Sequence, residues 1–145
     1  MELTGSAAAH WRGDLATGSG DIDFLSSGAA QAKLRFPLTP GEPEGRTSPE
    51  ELIASAQASC YTLMLSRVLE MAGTPAESID TQVSAVIVPG SGFTGIAIQA
   101  VARVPGINNG QLQHAAAQAE QQCPVSRALT AIPSTLEVRL ATEEA

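Results

Sequence analysis

The chain has 145 residues, with 15 Asp plus Glu against 8 Lys plus Arg, a net charge of -7 and two cysteines. That length suits one domain and buries about two-thirds of the unfolded chain's surface, so a core can form without disulfide staples or a structural metal. The acidic balance, unrelieved by any Lys/Arg cluster, argues against a nucleic-acid partner, and no apolar run approaches the ~20 residues that span a bilayer. The start of the sequence has no basic segment followed by an apolar stretch, so no secretory leader is expected and the cytoplasm is the default location. In that compartment a cysteine pair points to redox chemistry or metal binding rather than to a structural disulfide.

The first third reads as strands. Ala7, Ala9 and Trp11 alternate with Ala8, His10 and Arg12, the period-two pattern of a half-buried strand. Gly18 and Gly20 mark a turn, after which Ile22 and Phe24 alternate with Asp21 and Asp23. Beyond Ser26-Ser27-Gly28, Ala32, Leu34 and Phe36 alternate with Lys33 and Arg35. These three segments form an antiparallel meander. Residues 37–45, rich in Pro and Gly, form a loop.

A long helix begins at Ser48. Ser48 is a good N-cap, Pro49 suits the first helical position and Glu51 completes a Ser-x-x-Glu capping box. Ile53, Ala56, Cys60, Leu63, Met64, Val68 and Met71 recur at steps of three and four, which predicts the buried stripe. Gly73 stops the helix, with Pro75 beyond it. Two strands follow at residues 81–88 and 92–104, joined at Pro89-Gly90-Ser91. The second is apolar on both faces, as a central strand should be. Asn108-Asn109-Gly110 introduces a helix over residues 111–122. Pro124 disfavours helical geometry at Cys123, so the helix breaks there and a short new one opens with Cys123 as its cap. In the last strand Leu136, Val138 and Leu140 face inward while Thr135, Glu137 and Arg139 face outward. The architecture is α+β, antiparallel strands around one dominant helix, in a single domain spanning residues 1–145.

A thiol reacts as thiolate, a form favoured at helix N-termini or beside a cation. On dipole grounds Cys123 is the more activated of the two. Cys60 is mid-helix and needs a guanidinium close by; Arg35 is the candidate, with Arg12 and Arg46 as rivals. Each cysteine also has a plain reading as a small core residue. Glu50 is either a helix N-terminal charge or a carboxylate that holds an arginine. About 15 Å of helix, at ~1.5 Å per residue, separate it from Cys60. If they share a site, the carboxylate comes from a second subunit, and the protein is a dimer.

The runs Thr47-Ser48-Pro49-Glu50-Glu51-Leu52 through Ser59-Cys60-Tyr61, and Cys123-Pro124-Val125-Ser126-Arg127-Ala128-Leu129, resemble the osmotically inducible protein C and organic hydroperoxide resistance (OsmC/Ohr) family. His10-Trp11-Arg12-Gly13-Asp14 and Val104-Pro105-Gly106-Ile107 resemble its osmotically inducible branch. The resemblance implies an intertwined homodimer, antiparallel sheet wrapped around a long central helix, with two sites at the subunit interface. It implies a thiol-dependent peroxidase acting on organic hydroperoxides, and variably on hydrogen peroxide. Cys60 then matches the peroxidatic thiolate and Cys123 the resolving one, which reverses the dipole preference. Arg35 matches the activating arginine and Glu50 the carboxylate that steers it. An external dithiol, of which a dihydrolipoyl group is the family's example, restores the thiols, and no metal, haem or flavin is required. Tyr61 departs from the phenylalanine common after the first cysteine, and Ser55-Ala56-Gln57 is more polar than usual. Leu63, Met64 and Phe36 are either pocket residues for bulky hydroperoxides or plain core.

Three other readings use the same residues. One is a dimeric module that binds a hydrophobic ligand, the cysteines being bystanders. Another is a thiol redox sensor without peroxidase turnover. The third is a zinc site of Cys60, Cys123, His10 and His114, which lacks the close paired spacing of structural zinc motifs. His114, among alanines and glutamines, reads as a surface helix residue.

Overall fold

The computed structural model describes residues 1–38 and 41–142. Thr39 and Pro40, inside the expected loop, and the acidic tail at 143–145 lie outside the described residues. The chain divides into two compact units, Met1–Leu52 and Ile53–Ala145. Among the described residues no helix is long and apolar enough to cross a membrane.

The first unit is a four-stranded sheet of β1 (Ala7–Arg12), β2 (Ser19–Phe24), β3 (Gln31–Leu34) and β4 (Arg46–Thr47), in that spatial order. β1 and β2 are antiparallel, with Ala7 opposite Phe24, and β2 runs antiparallel to β3, with Gly20 opposite Leu34. Gly20 lies inside β2 rather than at the turn, because a Cβ there would run into the His10 carbonyl and the Trp11 ring. β1 is more exposed than its alternation suggests; of its residues only Trp11 is partly buried. β4 adds to β3 in parallel, and the Arg35 N–H donates to the Thr47 carbonyl at 2.9 Å.

Helix α1 (Pro49–Met71) begins where expected. The Glu51 N–H donates to Ser48 Oγ at 3.3 Å, and the Thr47 hydroxyl donates to Glu51 Oε1 at 2.6 Å. Its stop is the one the sequence announces: Gly73 has φ 80°, and the Thr74 N–H reaches back to the Leu69 carbonyl at 3.0 Å. Only a residue that tolerates the left-handed region serves there without strain.

The second unit holds β5 (Ser78–Val88), β6 (Gly92–Arg103) and β7 (Ser134–Leu140), with β6 central. β5 and β6 form the expected hairpin, with a bulge at Val86/Ile87. β7, however, runs parallel to β6, pairing Ile96 with Ser134 and Ala102 with Leu140. With the β3–β4 pair this makes both sheets mixed rather than purely antiparallel. The reason is the connection: parallel neighbours need a crossover, and helices α2 (Asn109–Gln122) and α3 (Pro124–Ala128) supply it. Asn108 caps α2 with a complete capping box, its Oδ1 accepting from the Gln111 N–H while Gln111 Oε1 accepts from its own N–H, both at 2.9 Å.

The core joins one face of β6 (Ile96, Ile98, Ala100, Ala102) to α1 and to the small-residue face of α2 (Leu112, Ala115, Ala116, Ala119). α1 contributes Tyr61, Leu65, Val68 and Leu69, together with Gln57. This corrects the expected stripe: Leu63 and Met71 are exposed, and Cys60 is only partly buried. The row Gln57-Tyr61-Leu65-Leu69, stepped by four, is the buried one, and Gln57 and Tyr61 meet the α2–α3 segment.

Candidate active site

Two elements of the second unit bring the cysteines together. Cys60 sits midway along α1. Cys123 sits at the junction of α2 and α3, where its backbone (φ -70°, ψ 114°) leaves the helix that Pro124 restarts. The junction is tied at both ends: the Cys123 N–H donates to the Ala119 carbonyl at 2.9 Å, and the Arg127 N–H donates to the Cys123 carbonyl at 3.0 Å. The two sulfurs lie 2.9 Å apart as free thiols. A disulfide needs about 2.05 Å, so bond formation asks for a shift of under an ångström.

The environments of the two sulfurs differ. Cys123 is fully buried, whereas Cys60 keeps part of its surface open. Behind Cys123 stands Gln57, 2% exposed, whose Nε2 lies 3.8 Å from the Cys123 sulfur and donates to Ser126 Oγ at 2.8 Å. Burial pushes the Cys60 thiol up, and the hydrogen bond and charge of Cys123 add to the rise; the Val125 N–H opposes it and loses. Burial also raises Cys123, but hydrogen bonds from Cys60, from the Ser126 hydroxyl and N–H, and from the Val125 N–H outweigh it and bring the thiol below its ordinary range. Within this unit the charge therefore settles on Cys123, the direction the helix-cap argument gives.

The arginine candidates and Glu50 belong to the first unit. Arg35 follows β3, is partly buried, and its Nη2 donates to the Gly41 carbonyl at 3.4 Å. Arg46 opens β4 and donates from Nε to the Pro43 carbonyl at 3.1 Å, while Arg12 ends β1 and is exposed. Glu50 Oε2 is buried and accepts no hydrogen bond among the described residues. His10 lies in β1 and His114 on α2; no cluster of three or more His, Cys, Asp or Glu side chains suited to a metal occurs among the described residues.

Sequence reasoning passed over Gln57 and Ser126. The signal for Gln57 was present as a polar residue in the otherwise apolar row 57, 61, 65, 69. Ser126 sits three residues past the cysteine in the second motif, where its hydroxyl can turn back on the sulfur. Tyr61 resolves plainly: its hydroxyl donates to the Ala116 carbonyl at 3.1 Å, inside the core.

The fold and paired thiols define an α+β dithiol protein, and comparison with known proteins identifies its family. The OsmC-like protein family model matches residues 41–138. Peroxiredoxin OsmC of Escherichia coli (strain K12) is 35% identical over 134 residues, covering 90% of this chain and 93% of that protein. The organic hydroperoxide resistance protein of Xanthomonas axonopodis pv. citri is 36% identical over 118 residues, covering 78% and 82%. Among solved structures, an organic hydroperoxide resistance protein OsmC of Legionella pneumophila superposes with a TM-score of 0.71 at 24% identity, covering 97% of this chain and 98% of that one. The organic hydroperoxide resistance protein OhrB of Bacillus subtilis superposes with a TM-score of 0.65 at 24% identity, covering 94% and 98%. The chain belongs to the OsmC/Ohr family.

Proposed function

We propose that this protein is a thiol-dependent peroxidase that reduces organic hydroperoxides, and hydrogen peroxide to a variable degree, through Cys60 and Cys123. One observation carries the reading: two free sulfurs 2.9 Å apart, one of them reachable from solvent and the other buried. The names of the relatives, peroxiredoxin and organic hydroperoxide resistance protein, support the same chemistry.

Access supports the division of roles. A peroxide must meet the sulfur it oxidises, so Cys60 is the peroxidatic thiol and Cys123 the resolving one. Because burial and Cys123 both raise the Cys60 thiol, the exposed sulfur needs a cation to carry the charge. Arg35 is the proposed source and Glu50 the carboxylate that steers it. The buried Glu50 Oε2, with no hydrogen-bond donor on it among the described residues, is what such a guanidinium would satisfy. Since about 15 Å of helix separate Glu50 from Cys60, a shared site takes its carboxylate from a second subunit, and the proposed working unit is a homodimer of OsmC-like domains.

In the reaction the Cys60 thiolate attacks the distal peroxide oxygen, the O–O bond breaks, and the alkoxide leaves and takes a proton to become the alcohol. The Cys123 thiolate then attacks the sulfenic sulfur, releasing hydroxide that is protonated to water. An external dithiol, a dihydrolipoyl group being one candidate, returns both sulfurs to thiols.

The test is titration of reduced protein with cumene hydroperoxide and, separately, hydrogen peroxide, following free thiols and intact mass. Loss of both thiols at about one equivalent, with a mass decrease of two hydrogens on a single chain, is the expected result. Thiols that survive excess peroxide would reject the peroxidase and leave a module that binds a hydrophobic ligand. Fast oxidation without turnover by any dithiol would indicate a sensor.

A further inference from the structure

The reductive half of the cycle leaves open which sulfur the reductant attacks. Three observations bear on it. Cys123 is fully buried while Cys60 is partly open, so an incoming thiolate has a line of approach to Cys60 alone. The Gln57 amide is buried, and its Nε2 carries two hydrogens. One goes to Ser126 Oγ at 2.8 Å and the other faces the Cys123 sulfur at 3.8 Å. Finally, Ser126, which accepts from the amide at 2.8 Å, itself favours the charged form of Cys123.

We propose that Gln57 and Ser126 hold Cys123 as the leaving sulfur of the oxidised protein, so that an external dithiol opens the disulfide at Cys60. This inference rests on the Cys60–Cys123 disulfide of the proposed cycle. The reductant's thiolate bonds to Cys60 Sγ as the Sγ–Sγ bond breaks, and the bonding pair departs on Cys123. The reductant's second thiol, deprotonated, attacks its first sulfur and displaces Cys60 as a thiolate. Two electrons pass from the dithiol to the protein disulfide, and the dithiol's two protons are left for the released sulfurs. Thiol–disulfide exchange is faster when the departing thiol has the lower pKa, which is what donors around Cys123 provide. Gln57 touches neither substrate nor reductant; it is a positioning residue, acting through Ser126 and the leaving sulfur. An aliphatic side chain in its place would complete the apolar row but leave that sulfur with one donor fewer.

The experiment forms the disulfide with diamide, so that peroxide plays no part, and verifies it by mass. The oxidised protein is opened with glutathione, a monothiol that cannot cyclise, then acid-quenched, alkylated with N-ethylmaleimide and peptide-mapped. Glutathione on Cys60 with maleimide on Cys123 is expected; glutathione on Cys123 would overturn the proposal. Gln57→Met and Ser126→Ala, oxidised the same way, should open roughly fivefold more slowly with dithiothreitol, the scale of one lost hydrogen bond. In a Cys60→Ser background the pH midpoint of the Cys123 thiolate absorbance at 240 nm should rise in Gln57→Met and return in Gln57→His, which keeps an N–H donor. Unchanged rates and midpoints in both variants would reject the role. Failure of diamide to form the bond would reject this inference and the peroxidase reading together. A disulfide that opens at Cys60 in a protein indifferent to hydroperoxide would sink the peroxidase alone.

Discussion

The Tyr61 hydroxyl donates to the Ala116 carbonyl at 3.1 Å, which commits the residue after Cys60 to the interface of α1 and α2. Burial pushes this phenol well above its ordinary value near 10, with the charges of Glu120 and Cys123 adding to the rise. The folded protein thus keeps its proton at pH values where the unfolded chain has lost it, and stability must fall as pH climbs past about 10. Tyr61→Phe should cost about 1 kcal/mol at neutral pH and flatten that alkaline decline. Urea titrations of both proteins from pH 7 to 11 check it, and the ratio of cumene to hydrogen peroxide rates should not move.

Two sulfurs 2.9 Å apart cannot both be ionised at ordinary cost. With the proposed cation removed in Arg35→Ala, the reduced protein should titrate in two steps at 240 nm, one below and one above the usual thiol value. The direction of each shift places the lower step mainly on Cys123 and the upper mainly on Cys60. Cys60→Ala removes the S–H that Cys123 accepts and should raise the remaining step. Cys123→Ala removes both the hydrogen bond and the charge that raise Cys60 and should lower it.

If Arg35 supplies the charge that makes Cys60 a thiolate, Arg35→Ala should slow oxidation by cumene hydroperoxide roughly hundredfold. Lysine is a poor replacement, because it lacks the planar fork that engages a carboxylate and a sulfur together. Glu50→Gln should lower the rate in the same direction by a smaller factor. Stopped-flow thiol oxidation measures all three. Arg12→Ala and Arg46→Ala serve as comparisons, and a larger loss in either would move the role to that residue.

Leu63 and Met71 are 71% and 74% exposed on α1, outside the row that is buried in the core. In a homodimer that buries this side of the helix, Leu63→Glu should weaken association at least tenfold, since covering one leucine is worth about 1.5–3 kcal/mol. Sedimentation equilibrium reads the outcome directly. A native monomer at micromolar concentration would argue against the dimer.

Much of this molecule is legible in its sequence. Ser48-Pro49 and Gly73 bracket α1, Asn108 opens α2 and Pro124 breaks it, each through a local steric or hydrogen-bonding rule that needs no tertiary context. The α1 stripe was misread for a reason of the same kind. Leu63 and Met71 fall in one apolar stripe and Tyr61, Leu65 and Leu69 in another, and period alone cannot choose between them. Gln57, in a stretch noted only for its polarity, is the residue that meets Cys123. Alternation in β7 showed which side chains face inward but carried nothing about strand direction, which the length of the α2–α3 crossover decides. The nearness of Cys60 to Cys123 came from family resemblance, since no local rule spans that separation.

The two thiols stand 63 positions apart, and the chain between them carries β5, β6 and α2. Oxidation therefore closes a large covalent ring through most of the second unit. A ring of that size removes enough freedom from the denatured chain to favour the folded state by about 4 kcal/mol. For a protein of this length that corresponds to a melting point roughly 10 °C higher in the oxidised form. On the proposed cycle, the bond made and broken at each turnover would thus also be a clasp on the fold. Under a load of peroxide that outran its reductant, the protein would accumulate in its most heat-resistant state, and its thermal transition would become a direct gauge of how far that cycle had stalled.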